Sequence, residues 1–207
     1  FRSRSVTALT LSTRAAREIR ERLAARGAAG ACTAATFHSF GLSVLSSFAA
    51  EVGRREGFTI AGERRRGELL AGLGAAPKDV PRLLAEISAC KEGTLQGPPP
   101  PLFDEYNRAL EKENAFDVDD LVWRVAELIG QGGEAADACA ARCRSLLVDE
   151  FQDINPAQYR LVRLLAPRPD SDLFVIGDPD QAIYGFRGAS AAYFDALAKD
   201  YPSIKRI

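Results

Sequence analysis

Asp149 and Glu150 stand side by side at the end of the apolar run SLLV, and Gly177 and Asp178 close a second run, LFVI. Gln181, Tyr184, Phe186 and Arg187 follow closely behind. Adjacent carboxylates carried by a buried strand to the carboxyl edge of an open parallel sheet have the geometry of a nucleotide site. Phosphoryl transfer needs a magnesium ion, a positioned water and groups that sense the terminal phosphate, because catalysis there is mostly positioning and charge stabilisation. An aspartate at the strand end, Asp149, can hold the ion through its waters, and the next carboxylate, Glu150, can orient and deprotonate the attacking water. Gln181 offers a polar sensor, and Tyr184, Phe186 and Arg187 offer a stacking platform beside it. A lone acidic pair after an apolar run is a weak signal; SLLVDEFQD followed by LFVIGDPDQAIYGFRGA is a strong one.

Positioning these residues takes alternating strands and helices. Val6–Leu11 reads as a strand, with Ser12 or Thr13 as the cap of a helix whose apolar positions Ala16, Ile19 and Leu23 keep helical spacing until Gly27. A second helix is expected from about His38 to Val52, with Thr36 just ahead of it. From Gly53 the texture turns to Gly, Pro and Arg, with a modest helix around Val80–Ala89 and a run, Gly97–Pro101, that cannot be regular. Asp117–Ile129 is amphipathic and leads through an alanine-rich helix to a strand at Leu146–Val148. Asn155–Leu165 reads as a helix, Leu173–Ile176 as a strand, Ser190–Lys199 as a helix and Ile204–Ile207 as the start of a last strand. Strands alternating with helices imply an α/β fold, a parallel sheet covered on both faces. The expected organisation is a core in two stretches, 1–52 and 117–207, with an inserted helical unit at 53–116. A chain that starts on a strand and stops on one reads as a piece of something longer.

Composition narrows the class without naming a partner. The 207 residues are 27% charged and 46% apolar, an ordinary globular balance, and the net charge of −1 gives no bulk support for nucleic-acid binding. No stretch approaches the roughly 20 apolar residues of a membrane span and no secretion signal is visible, so the expected location is cytoplasmic, with no membrane partner. Cys32, Cys90, Cys139 and Cys143 are too scattered, with His38 as the only histidine, to suggest a zinc site. Cys139 and Cys143, one helical turn apart, read as small reduced core residues. The arginines at 54, 55 and 64–66 read as a solvated charged face.

With these residues in hand, the chain resembles the first RecA-like domain of superfamily 1 helicases of the UvrD/Rep type. DEFQD resembles their Walker B motif, and GDPDQAIYGFRGA the neighbouring motif that couples nucleotide to DNA. LTLSTRAAREIRERL, Leu9–Leu23, is similar to the family's motif on the strand and helix after the phosphate loop, and TFHSFG, Thr36–Gly41, to its next single-strand contact. ISACKEG and FDVDDLV sit where the family places its inserted helical subdomain and the return to the core. The resemblance implies a RecA-like P-loop NTPase core using ATP and magnesium, with Asp149 on the metal, Glu150 as catalytic base, Gln181 on the terminal phosphate and Arg187 paired with Glu150. It implies single-strand contacts at Ser12, Thr13, Arg14, Thr36, Phe37 and His38, with bases stacking on Tyr184 and Phe186. The implied partners are single-stranded DNA, single-strand to duplex junctions and the remaining helicase domains, with movement 3′ to 5′.

Plainer readings stand beside these: core packing for Tyr184 and Phe186, a local helix-start bond for His38, a surface strand end for Asp149 and Glu150. The chain also departs from the family pattern. No G-x-x-x-x-G-K-[ST] loop occurs in it, so these residues alone are expected not to hydrolyse ATP. Leu11 stands where the family commonly has an aromatic residue, and the insertion is short. Two rival readings therefore remain: an ATPase-deficient helicase-like scaffold on DNA or a repair complex, and a helicase–nuclease fusion of the RecB type.

Overall fold

The computed structural model describes residues 5–28, 30, 32–168, 170–178, 180 and 192–205. Strand β1 (Val6–Thr10) leads into α1 (Thr13–Ala25), then β2 (Cys32–Thr36) and α2 (Phe37–Ser47). Strand β3 (Thr59–Ala61) opens a long excursion through α3 (Glu63–Gly72), α4 (Val80–Glu92) and α5 (Phe103–Lys112), which β4 (Ala115–Asp117) closes. The chain then runs through α6 (Asp120–Gly130), α7 (Glu134–Arg142), β5 (Ser145–Val148), α8 (Pro156–Leu165), β6 (Asp172–Val175) and α9 (Ala192–Asp200).

The main sheet has the order β2-β1-β5-β6, and every pair in it is parallel. Because parallel crossovers are right-handed, the step from β1 to β2 puts α1 on one face, and the steps from β2 to β5 and on to β6 put α2, α6, α7 and α8 on the other. Leu9, Leu146 and Val148 face that second layer and are buried in one core with Phe40, Val125, Leu161 and Val162. Gly41 sets the distance between α2 and α6: a Cβ there would lie 1.7 Å from the Leu121 carbonyl oxygen. The glycine of TFHSFG is thus required by helix packing.

A second apolar cluster holds the excursion together, with Leu69, Leu70, Leu83, Ile87, Tyr106 and Leu110 at its centre. Strands β3 and β4 pair in parallel at its base, Thr59 with Ala115. Between the two clusters lies a buried ionic knot. Lys91 Nζ on α4 donates to Asp117 Oδ2 and Asp120 Oδ1, both at 2.8 Å, with all three side chains at 1% exposure or less. Tyr106 donates to Asp117 Oδ2 at 2.9 Å, and Arg66 donates to the Tyr106 hydroxyl at 3.0 Å and to Asp119 Oδ2 at 3.2 Å. Burial works to lift the Asp117 carboxyl, but the Lys91 ammonium and the Arg66 guanidinium hold it below the usual aspartate range.

Several expectations need correction. The second helix stops at Ser47 and gives way to a 3-10 turn, Ala49–Val52, ended by Gly53 at φ 70°. Strand β2 and helices α3 and α5 were not expected. Arg54 and Arg66 do not belong to a solvated face: Arg54 is 6% exposed, donates to the Ala115 carbonyl at 3.0 Å and lies over the Phe116 ring. Arg64 and Arg65 are exposed and paired with Glu68, and Arg65 also with Glu113. Ile204 and Lys205 are not in a strand; residues 206 and 207 lie outside the described residues. All four cysteines are free thiols; Cys139 and Cys143 are buried, and burial pushes the Cys139 thiol up to about 11. No helix among the described residues is long and apolar enough to cross a membrane.

Candidate functional site

All strands of the main sheet end on one rim, and most of the expected site residues meet there. The ladder continues one residue past β5, because the Asp149 amide donates to the Leu9 carbonyl at 2.9 Å. Glu150 then takes a left-handed conformation, φ 53° and ψ 44°, which is uncommon for a residue with a side chain and is kept where surrounding structure enforces it. Phe151 supplies that enforcement. Its amide donates to the Ile176 carbonyl at 2.9 Å, and its ring is fully buried against Tyr159 and Phe194. The backbone reversal leaves Asp149 half-buried and Glu150 exposed at the rim.

Gln152 was quoted within DEFQD but given no role by sequence reasoning; the structure makes it the brace of the site. It is 1% exposed, donates from Nε2 to Glu150 Oε2 at 2.7 Å and accepts at Oε1 from the Asp178 amide at 3.0 Å. One amide therefore ties the loop after β5 to the loop after β6. Gly177 permits it, since a Cβ there would lie 2.5 Å from Gln152 Oε1 and 3.0 Å from both the Phe151 nitrogen and the Phe194 ring.

Burial pushes the Asp149 carboxyl above its ordinary value, and the neighbouring Glu150 charge adds to the rise. An opposite charge placed there would relieve both. Among the described residues no group of three or more ligand-type side chains gathers into a metal cage. A pair of hard carboxylates, one half-buried and one exposed at the rim, fits magnesium, which binds through one or two carboxylates, waters and nucleotide phosphates.

On the adjoining strands the rim carries two helix starts. Ser12 caps α1, its hydroxyl accepting from the Ala15 amide at 3.1 Å, and Thr13 and Arg14 are exposed beside it. Thr36 caps α2 through a reciprocal box with Ser39, at 3.0 Å and 2.8 Å. Both N-termini carry unpaired amide donors and the positive end of the helix dipole, a setting suited to backbone phosphates. His38 is partly exposed on the first turn of α2. Phe37 does not fit a base contact, because its ring is 1% exposed and belongs to the main core. The Thr36 hydroxyl is likewise occupied by its cap. Gln181, Tyr184, Phe186 and Arg187 lie outside the described residues.

Over 98% of its length the chain is 34% identical to the ATP-dependent DNA helicase UvrD1 of Mycobacterium tuberculosis, of which it covers 30%. It is 30% identical to the ATP-dependent DNA helicase PcrA of Leuconostoc citreum, over 98% of the chain and 30% of that protein. It is also 30% identical to the ATP-dependent DNA helicase Rep of Escherichia coli, over the whole chain and 34% of that protein. The chain therefore spans about a third of the length of these relatives. The model of the UvrD/REP helicase N-terminal domain matches residues 1–96 and 100–202, and this chain belongs to that family.

Proposed function

We propose that this chain is part of the first motor domain of an ATP-dependent DNA helicase or translocase that couples ATP hydrolysis to movement along single-stranded DNA, 3′ to 5′. The observation that carries the reading is the shared rim: the acids after β5 and the capped helix starts after β1 and β2 sit at the carboxyl ends of adjacent strands of one sheet. In this reading residues 53–116 are a helical subdomain inserted into the core formed by 1–52 and 117–207. The other helicase domains of the same protein, and single-strand to duplex junctions, are its partners. The work is cytoplasmic, and the names of the relatives support DNA as the track and ATP as the fuel.

Within the site, Glu150 is the base that takes a proton from the attacking water, and its left-handed backbone with the Gln152 brace fixes where that carboxylate points. Asp149 is the ligand for magnesium, which when bound offsets charge on the phosphates. Gln152, bonded at its other end to the Asp178 amide, links the position of the base to Asp178, from which the sequence runs on to Gln181 and Arg187. Gln181 senses the terminal phosphate and Arg187 pairs with Glu150. Ser12, Thr13, Arg14 and His38 line the DNA track with the amides of both helix starts, while Tyr184 and Phe186 stack on bases, each worth about 1–3 kcal/mol.

DNA-stimulated ATPase of the full-length protein tests the reading. Loss of a general base costs roughly 10²–10⁴-fold, so Glu150→Gln should lower turnover by that factor. Equal turnover in variant and parent would favour the scaffold reading instead.

A further inference from the structure

Thr10 ends β1, is 0% exposed, and its hydroxyl has no hydrogen-bond partner among the described residues. A buried hydroxyl without a partner is unfavourable, and valine, of the same shape and equally suited to a strand, would avoid the loss. The position of Thr10 offers a reason for keeping it. Thr10 is paired in register with Thr36 on β2, and on the other side Leu9 pairs with Val148 and accepts from the Asp149 amide. Thr36, Thr10 and Asp149 thus form one row across the rim, and residues level with one another on parallel strands share a face. The Thr36 hydroxyl accepts from the Ser39 amide at 3.0 Å and donates to the Ser39 hydroxyl at 2.9 Å. That leaves Thr10 as the hydroxyl of the row with a hydrogen to give, one strand away from the half-buried Asp149 carboxylate.

We infer that Thr10 is a positioning residue for the metal and nucleotide site: its buried hydroxyl donates to the Asp149 carboxylate in the loaded state and orients the oxygen that faces magnesium. The inference rests on the reading of Asp149 given above. It assigns the hydroxyl a partner that the ligand-bound state brings into line. Groups that orient a metal ligand from behind commonly change metal affinity or activity by about 10–100-fold when removed.

The test uses the full-length protein and compares Thr10→Val, Thr10→Ser and Glu150→Gln. Melting without nucleotide and in the presence of a chelator should show Thr10→Val at least as stable as the parent. Magnesium titration of ATPase, and of ATP binding followed by the melting shift, should show its half-saturating magnesium concentration raised by about tenfold or more. Thr10→Ser, which keeps the hydroxyl, should restore the parent value. A clearly lower melting point for Thr10→Val in chelator would mean that the hydroxyl serves the fold, and would overturn the inference. So would an unchanged magnesium dependence in a protein that Glu150→Gln inactivates. An active Glu150→Gln would remove the reading of the site itself, and the inference with it.

Discussion

Asp149 shows how a functional group is kept at a cost to the fold. Burial and the adjacent Glu150 both raise its folded-state pKa, so the folded state disfavours the charged form. The sign follows from linkage: the penalty is absent below the ordinary aspartate range, grows as pH rises from there through the raised folded value, and is complete above it. Asp149→Asn should therefore melt above the parent at pH 7 in chelator, with the gap closing as the buffer is brought below the ordinary aspartate value. Adding magnesium and ATP should reverse the order, because the parent alone has the charge that ligand binding uses. Thermal melting of the full-length protein across this pH range checks both signs. A gap independent of pH would place its cause in packing.

At the scale of elements, the ionic knot joins α4 to β4 and α6. Removing Lys91 takes from buried Asp117 and Asp120 the cation they share, leaving only the longer cation contacts, to Arg66 at 3.7 Å and Arg124 at 3.8 Å, and breaking such a pair by removing one partner costs about 3–5 kcal/mol. Lys91→Met should lose that much in denaturant unfolding at neutral pH. Asp117, whose folded pKa is depressed, contributes stability above its unfolded value and loses it as pH falls; burial lifts Asp120, but Lys91 favours the charged form of both carboxyls, so the difference between Lys91→Met and parent should shrink in acid. Sequence made some elements plain and hid others for physical reasons. β1, β5 and β6 were readable because apolar runs end on polar rim residues. β2, CTAAT, carries no large apolar side chain, and its strand character comes from pairing beside β1. α3 was masked by glycines and a run of arginines, although Arg66 is held inside by Tyr106, Ser88 and Asp119. α5 follows a proline run that suggested continued loop. The acids and Ser12 were legible from type and place, whereas the Gln152 brace depends on two loops meeting across the sheet and so had no local pattern.

For the molecule as a whole, a net charge of −1 means that no broad positive field draws DNA to it. Among the described rim residues proposed as strand contacts, Arg14 is the one arginine or lysine, and the rest offer hydroxyls, an imidazole and helix-start amides. The share of single-strand affinity that these described contacts supply should therefore fall only gently with salt. Arg14→Ala should reduce the slope of log affinity against log salt by about 0.7, the value for one phosphate contact on a single strand. Fluorescence anisotropy over a salt series measures it, and an unchanged slope would take Arg14 off the track. The ionic knot is reinforced where α4 ends: at Gly93 a Cβ would lie 3.1 Å from the Pro156 ring, at the start of the helix that follows the acid loop. The helical excursion is thus braced against the sheet much as a handle is fired onto a cup. If the chain works as the motor proposed above, the excursion would be carried round with the nucleotide rim as a single solid part.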